Sequence, residues 1–157
     1  MILKVISGGQ TGVDQAALRA ARACGIATGG WAPKGWLTED GPQKELLESF
    51  GLRQIGTASY KARTIANVRE ADFTLWVGKA GSTGFYATND ACLWNRKPMA
   101  EVPLDEPIRE LFIRDISRPW FKVINVAGNR ESKDPGIGER AEAFLVKVFL
   151  AAKEPHA

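Results

Sequence analysis

Histidine is nearly missing from this chain: the single copy, His156, is the last residue but one. That removes histidine-based catalytic triads and His-ligated metal sites from the expected chemistry. Cysteine is scarce as well. Cys24 and Cys92 lie far apart, form no C-x-x-C pair, and fall on apolar faces of expected helices. Free thiols so placed behave as small buried hydrophobes, and such usage suits a reducing cytoplasm. Long apolar runs are absent too. No segment approaches the roughly 18 apolar residues that span a membrane. The opening stretch, Met1 to Gly9, lacks the basic region and long apolar core of a signal peptide. No membrane partner is expected. Nor is there a block of one charge: the net charge is +3, and the Lys and Arg residues are scattered. A nucleic-acid polyanion selects a dense basic face, so no nucleic-acid partner is expected either.

What remains is an ordinary globular composition. The chain has 157 residues, 45% of them hydrophobic, which suffices for a core without disulfides or a structural metal. One domain over residues 1–152 with a tail at 153–157 is the expected organisation.

Along the chain, short apolar runs alternate with helical periodicity. Strands are expected at Ile2–Ile6, Ile26–Trp31, Leu52–Ile55, Phe73–Val77, Pro98–Val102 and Trp120–Val126. Between them, helices are expected from Val13 to Cys24, Gln43 to Phe50, Tyr60 to Ala71, the glycine loop after Val77 to about Asn95, and Pro107 to Ile113. A last helix carries Ile137, Ala141, Phe144, Leu145, Val148 and Phe149 on one face. Alternation of this kind predicts an α/β fold, a Rossmann-like three-layer sandwich with a mainly parallel sheet and helices on both faces.

Ligands of open parallel sheets bind beyond the carboxyl ends of the strands. Three loops leave those ends, at 7–14, 78–88 and 127–138, and all are rich in glycine with hydroxyl or amide residues. In the first, Gly8, Gly9, Gln10, Thr11 and Gly12 are candidates to bring backbone N–H groups and the Thr11 hydroxyl to a phosphate at a helix N-terminus. The same residues also suit a tight turn with Thr11 as N-cap. Asp14 sits in the first helical turn, where it either complements the helix dipole or faces a ligand as acceptor or general acid/base. The second loop offers Gly81, Ser82, Thr83 and Gly84, with Thr88 one turn on. Arg130 in the third loop suits bidentate phosphate binding or a salt bridge with Glu131 or Asp134. Lys34 and Arg63 are further candidates. The first loop is neither a Walker A loop nor the full dinucleotide fingerprint.

The segment Ser7-Gly8-Gly9-Gln10-Thr11-Gly12-Val13-Asp14, with Pro33-Lys34-Gly35 and Glu39-Asp40-Gly41, resembles the molybdenum cofactor carrier family. Tyr60-x-x-Arg63-Thr64-x-x-Asn67-Val68, Gly81-Ser82-Thr83-Gly84-x-x-x-Thr88 and Asn125-Val126-Ala127-Gly128-x-Arg130-x-Ser132 carry the same resemblance. That family is a circularly permuted, YpsA- and LOG-like branch of the SLOG superfamily. The resemblance implies a pocket for a phosphate-bearing pterin or nucleotide, with molybdenum cofactor or a nucleotide as ligand and Ser132 among the contacts. It implies no metal ligated by the protein. LOG enzymes hydrolyse nucleoside monophosphates through Pro-Gly-Gly-x-Gly-Thr-x-x-Glu. This chain has no intact copy, and Asp14 is the nearest counterpart of the glutamate. A non-catalytic binding protein is therefore expected, with a nucleotide hydrolase and a nucleotide sensor as alternatives. A homo-oligomer, dimer or tetramer, is expected, since some of the five tryptophans and seven phenylalanines suit an interface.

Overall fold

The computed structural model describes residues 1–104 and 107–154. His156 and the rest of the expected tail beyond Glu154 lie outside the described residues. In chain order the strands are β1 (Lys4–Ile6), β2 (Ala27–Ala32), β3 (Leu37–Thr38), β4 (Gly41–Pro42), β5 (Leu52–Gln54), β6 (Phe73–Val77), β7 (Met99–Val102) and β8 (Val123–Gly128). The helices are α1 (Val13–Ala23), α2 (Lys44–Ser49), α3 (Tyr60–Glu70), α4 (Thr83–Trp94), α5 (Glu110–Ile116) and α6 (Ile137–Lys153). Six strands form one sheet in the order β5-β2-β1-β8-β6-β7, and every pairing in it is parallel.

Strand periodicity explains how the layers form. Phe73, Leu75 and Val77 point to one face of β6, where they meet the apolar sides of α1, α5 and α6 in the largest core cluster. Trp76 points the other way and meets Phe85 of α4 edge-on at 5.4 Å. Helix α3 packs on α4 there, through Val68, Ala91 and Cys92. A third cluster seals the β5 edge: Leu47 and Phe50 of the α2 region close over Leu18, Ala32, Trp36 and Leu52.

The expected α/β fold is thus observed, with differences at the edges of elements. The last strand begins at Val123 rather than Trp120. A turn held by the Phe121 N–H on the Arg118 carbonyl keeps Trp120 out of the sheet, 61% exposed. The strand then runs on to Gly128, because β6 continues to pair with it. Helix α5 starts at Glu110 and ends at Ile116, later than the expected 107–113. Helix α6 continues to Lys153, one residue into the expected tail, and the Lys153 ammonium reaches the Cys24 carbonyl. The turn-rich stretch before α2 contains the antiparallel β3–β4 pair, too short to leave a periodic signal. Among the described residues no helix is long and apolar enough to cross a membrane.

The topology places a crevice at one edge of the sheet. From β1 the chain moves toward β2 and β5; from β6 it moves toward β7; β8 lies between the two. Crossovers of opposite sense leave a crevice at the carboxyl ends of these central strands.

Candidate ligand-binding site

A cavity of about 660 Å³ opens at that crevice. It takes its walls from the loops after β1, β6 and β8 and from the start of α3. Such a volume is in the range of small-ligand pockets, roughly 300–1,000 Å³.

The loop after β1 closes on itself. The Gly9 N–H donates to Ser7 Oγ at 3.3 Å, the Gln10 N–H to Asp14 Oδ2 at 3.2 Å, and the Thr11 N–H to Gln10 Oε1 at 3.0 Å. At the head of α1, the Val13 N–H donates to the Asn129 carbonyl at 3.2 Å. Those four N–H donors are therefore spent within the chain. The glycines serve close approach instead. A Cβ on Gly8 would stand 1.5 Å from Arg63 Nη1, so the guanidinium lies across that backbone. Gly12 has φ of 75°, and a Cβ there would meet the Asn129 carbonyl oxygen at 2.5 Å.

Glu39, at the tip of the β3–β4 pair, clamps two of these loops together. Its carboxylate accepts from the Thr11 hydroxyl, from the Ser132 N–H at 3.0 Å and from the Ser132 hydroxyl at 2.5 Å. Its own N–H donates to Gln10 Oε1 at 2.8 Å. Partial burial raises the Glu39 carboxyl, but the Ser132 and Thr11 hydrogen bonds and the Arg130 charge outweigh it and bring it below its ordinary value. Thr11 and Ser132 are thus engaged by Glu39, away from the cavity wall. Lys34 stands exposed on a turn, with its N–H on the Thr57 carbonyl.

Asp14 and Arg63 form a buried ion pair, Nη1 to Oδ2 at 2.8 Å, with side chains 6% and 11% exposed. Burial pushes the Asp14 carboxyl up; the Arg63 charge and the Gln10 N–H pull against it without cancelling it. Both residues line the cavity, as does Gln10.

The loop after β6 is built differently. Asn129 Oδ1 accepts the Lys79 N–H at 3.0 Å, and the Lys79 carbonyl accepts from Trp76 Nε1 at 3.2 Å. Those bonds anchor its first half. Ser82 then caps α4, its hydroxyl accepting the Phe85 N–H at 3.1 Å. The first turn of α4 carries N–H groups that no preceding turn can accept. Gly81, Ser82, Thr83 and Gly84 line the cavity, with Thr88 behind them donating to the Gly84 carbonyl at 2.9 Å. A Cβ on Gly81 would meet nothing within 4 Å, so this loop borders open space.

From the third loop come Arg130 and Lys133. Neither carboxylate considered for Arg130 pairs with it among the described residues. Glu131 caps α6, accepting from the Gly136 and Gly138 N–H groups, and Asp134 pairs with Arg140 at 2.9 Å. Arg130 and Arg63 each lie 5.6 Å from the Tyr60 ring centre. The lining therefore includes four cationic residues, Arg63, Lys79, Arg130 and Lys133, and one carboxylate residue, Asp14.

Of the residues singled out from the sequence, Gln10, Asp14, Arg63, Gly81, Ser82, Thr83, Gly84, Thr88 and Arg130 come together on its wall. Gly8, Gly9, Thr11, Gly12 and Ser132 shape the loops around it, and Lys34 is apart. Sequence reasoning missed Lys79, Lys133, Thr64, Asn129 and Trp76 as lining residues, and Glu39 as the clamp. The Glu39-Asp40-Gly41 turn was the available signal for Glu39.

The model of the circularly permutated YpsA SLOG family matches residues 5–149 of this chain. The crystal structure of "Putative molybdenum carrier protein" from Syntrophus aciditrophicus SB is similar to it, with 35% sequence identity and a TM-score of 0.78. That similarity covers 95% of each chain. No curated protein matches.

Proposed function

The chain belongs to the circularly permutated YpsA SLOG family, and on that footing we propose that it binds a phosphate-bearing small molecule, a pterin or a nucleotide, as a carrier does. The observation that carries this reading is the excess of cationic residues in the cavity lining: four of them with one carboxylate residue, Asp14, already paired with Arg63. Cations at a partly enclosed site attract phosphate, and the head of α4 adds the partial positive charge of a helix N-terminus. The phosphate sits against Gly81 to Gly84, between Lys79 and Arg130.

Molybdenum cofactor is one such ligand, as the name of the similar crystal structure suggests. Among the described residues, no cluster of His, Cys, Asp and Glu could hold a metal ion. The donor set fits the phosphate and the organic part of that ligand, and a cargo metal would travel on the ligand's own atoms. The test is a melting-temperature panel with molybdenum cofactor and nucleoside monophosphates. A ligand that binds the native state alone raises the melting temperature, by mass action. No shift with any phosphate ligand would contradict the proposal.

Asp14 favours a second reading. A carboxyl whose proton affinity is raised by burial, on a cavity wall, suits a general acid in nucleotide hydrolysis. Release of free base from a nucleoside monophosphate, abolished by Asp14→Asn, would establish that reading instead.

A further inference from the structure

Two residues of the cavity lining, Gln10 and Arg63, each hold a buried donor with no acceptor. Gln10 is 6% exposed, and its side-chain oxygen accepts the Thr11 N–H at 3.0 Å and the Glu39 N–H at 2.8 Å. Only oxygen can accept those bonds, so they fix which way the amide faces. Gln10 Nε2 is then buried without a partner. Arg63 spends Nη1 on Asp14 Oδ2 at 2.8 Å, and its guanidinium lies across the Gly8 backbone. Arg63 Nε is likewise buried without a partner. The two residues meet at one atom, since the Gln10 N–H also bonds to Asp14 Oδ2, at 3.2 Å. Among the described residues these two nitrogens are the only buried side-chain N or O atoms left over, and both are donors. An unmet buried donor is costly, and neither side chain can turn to find an acceptor without giving up the bonds that hold it.

We infer that Gln10 Nε2 and Arg63 Nε form a subsite for a carbonyl oxygen of the ligand, which accepts from both. A carbonyl oxygen has two lone pairs and can take two donors. An unprotonated ring nitrogen has one in the ring plane and leaves a donor unmet, and an amine sets donor against donor. Charge selects a neutral group as well. The Arg63 cation is already matched by Asp14, with side chains 11% and 6% exposed. A carboxylate or second phosphate there would place a further anion beside a buried carboxylate, at a desolvation cost that no free cation offsets. Resting on the proposed function, the inference gives the ligand a second point of attachment. Its phosphate lies at the head of α4, and an uncharged ring bearing a carbonyl lies against Gln10 and Arg63. The ligands so selected are phosphorylated compounds that carry an oxo group on a neutral ring.

Inosine monophosphate and purine riboside monophosphate are the probes, since the second has the same purine, ribose and phosphate but lacks the ring oxygen. Isothermal titration should give inosine monophosphate at least about fivefold tighter binding, the consequence of the lost hydrogen bonds. The two probes also differ in the proton at N1, so two variants assign the gap to the oxygen. Gln10→Glu keeps an oxygen for the Thr11 and Glu39 N–H groups and removes the free donor. Arg63→Lys keeps a cation for Asp14 and removes Nε. Added charge or altered packing acts on both nucleotides, so the ratio of their affinities is the readout. Each variant should narrow that ratio at least about twofold. Circular dichroism and melting temperature establish that the variants are folded. Equal binding of the two nucleotides to the parent protein would overturn the inference, the donors then being served by an ordered water. A ratio unchanged in both folded variants would also overturn it. Failure of both nucleotides to bind would overturn it too, while saturable binding of inorganic phosphate alone would still sustain the broader proposal.

Discussion

The loop after β1 turns three of its amides, those of Gly9, Gln10 and Thr11, inward onto Ser7, Asp14 and Gln10, while the loop after β6 ends at a capped helix start on the cavity. Both run from a buried strand through glycine and hydroxyl residues into a helix. The difference lies in what crosses them. Arg63 lies over Gly8 and the Asn129 backbone abuts Gly12, so the first loop is a packing joint. Nothing stands over Gly81. Glycine richness therefore has two physical settings here, close approach of the protein to itself in one loop and open space beside the other.

If that contrast is right, equivalent substitutions must act differently in the two loops. The largest effect is expected at Gly8. A methyl there evicts Arg63 and leaves the Asp14 carboxylate buried without its partner, which costs about 3–5 kcal/mol of stability. Arg63→Ala should cost a similar amount, and combining the two should add little, since both remove the same pair. Urea denaturation of the three variants checks this.

Gly12→Ala comes next. A positive φ and a backbone oxygen at 2.5 Å cannot both be relieved by a side-chain shift, so about 3 kcal/mol is expected to be lost. The clamp follows: Glu39→Ala should lose about 2 kcal/mol, from charge-assisted hydrogen bonds to Thr11 and Ser132. Its pH dependence has a definite sign. Because the folded carboxyl lies below its ordinary value, the clamp stabilises the protein above the unfolded value of roughly 4.3. That stability is lost as pH falls through the lower folded value. In acid titrations of the melting temperature, Glu39→Gln should flatten this part of the curve.

The smallest stability effect belongs to Gly81→Ala. Its φ of 92° is unfavourable for alanine, yet the space is open, so only about 1 kcal/mol is expected to be lost. Nucleotide binding should weaken at least about fivefold in the same variant, as the methyl group intrudes on the phosphate position. A Gly81→Ala protein that unfolds like Gly12→Ala would erase the distinction between the loops.

Much of the fold was legible because period and burial coincide. Phe73–Val77 is fully buried on both faces and reads as an unbroken apolar strand, and α1 carries its alanine stripe at helical spacing. The β3–β4 pair was not legible, since two residues per strand hold no alternation. In the candidate site, Gly81 to Thr88 could be found because a strong strand precedes them and a helix follows. Lys79 and Lys133 could not, because an isolated lysine in a loop carries no pattern until the topology brings three loops together. Glu39 was hidden by distance: its partners lie 28 and 93 positions away. The opposite roles of two similar glycine loops depend on Arg63 and Asn129, which lie far along the chain.

Amide chemical-shift mapping of the ¹⁵N-labelled protein with inorganic phosphate tests the contrast most directly. The account predicts saturable shifts at the amides of residues 80–83 and at Arg130, with Gly8, Gly9 and Thr11 unmoved. Shifts concentrated at Gly8, Gly9 and Thr11, with the loop after β6 silent, would contradict it.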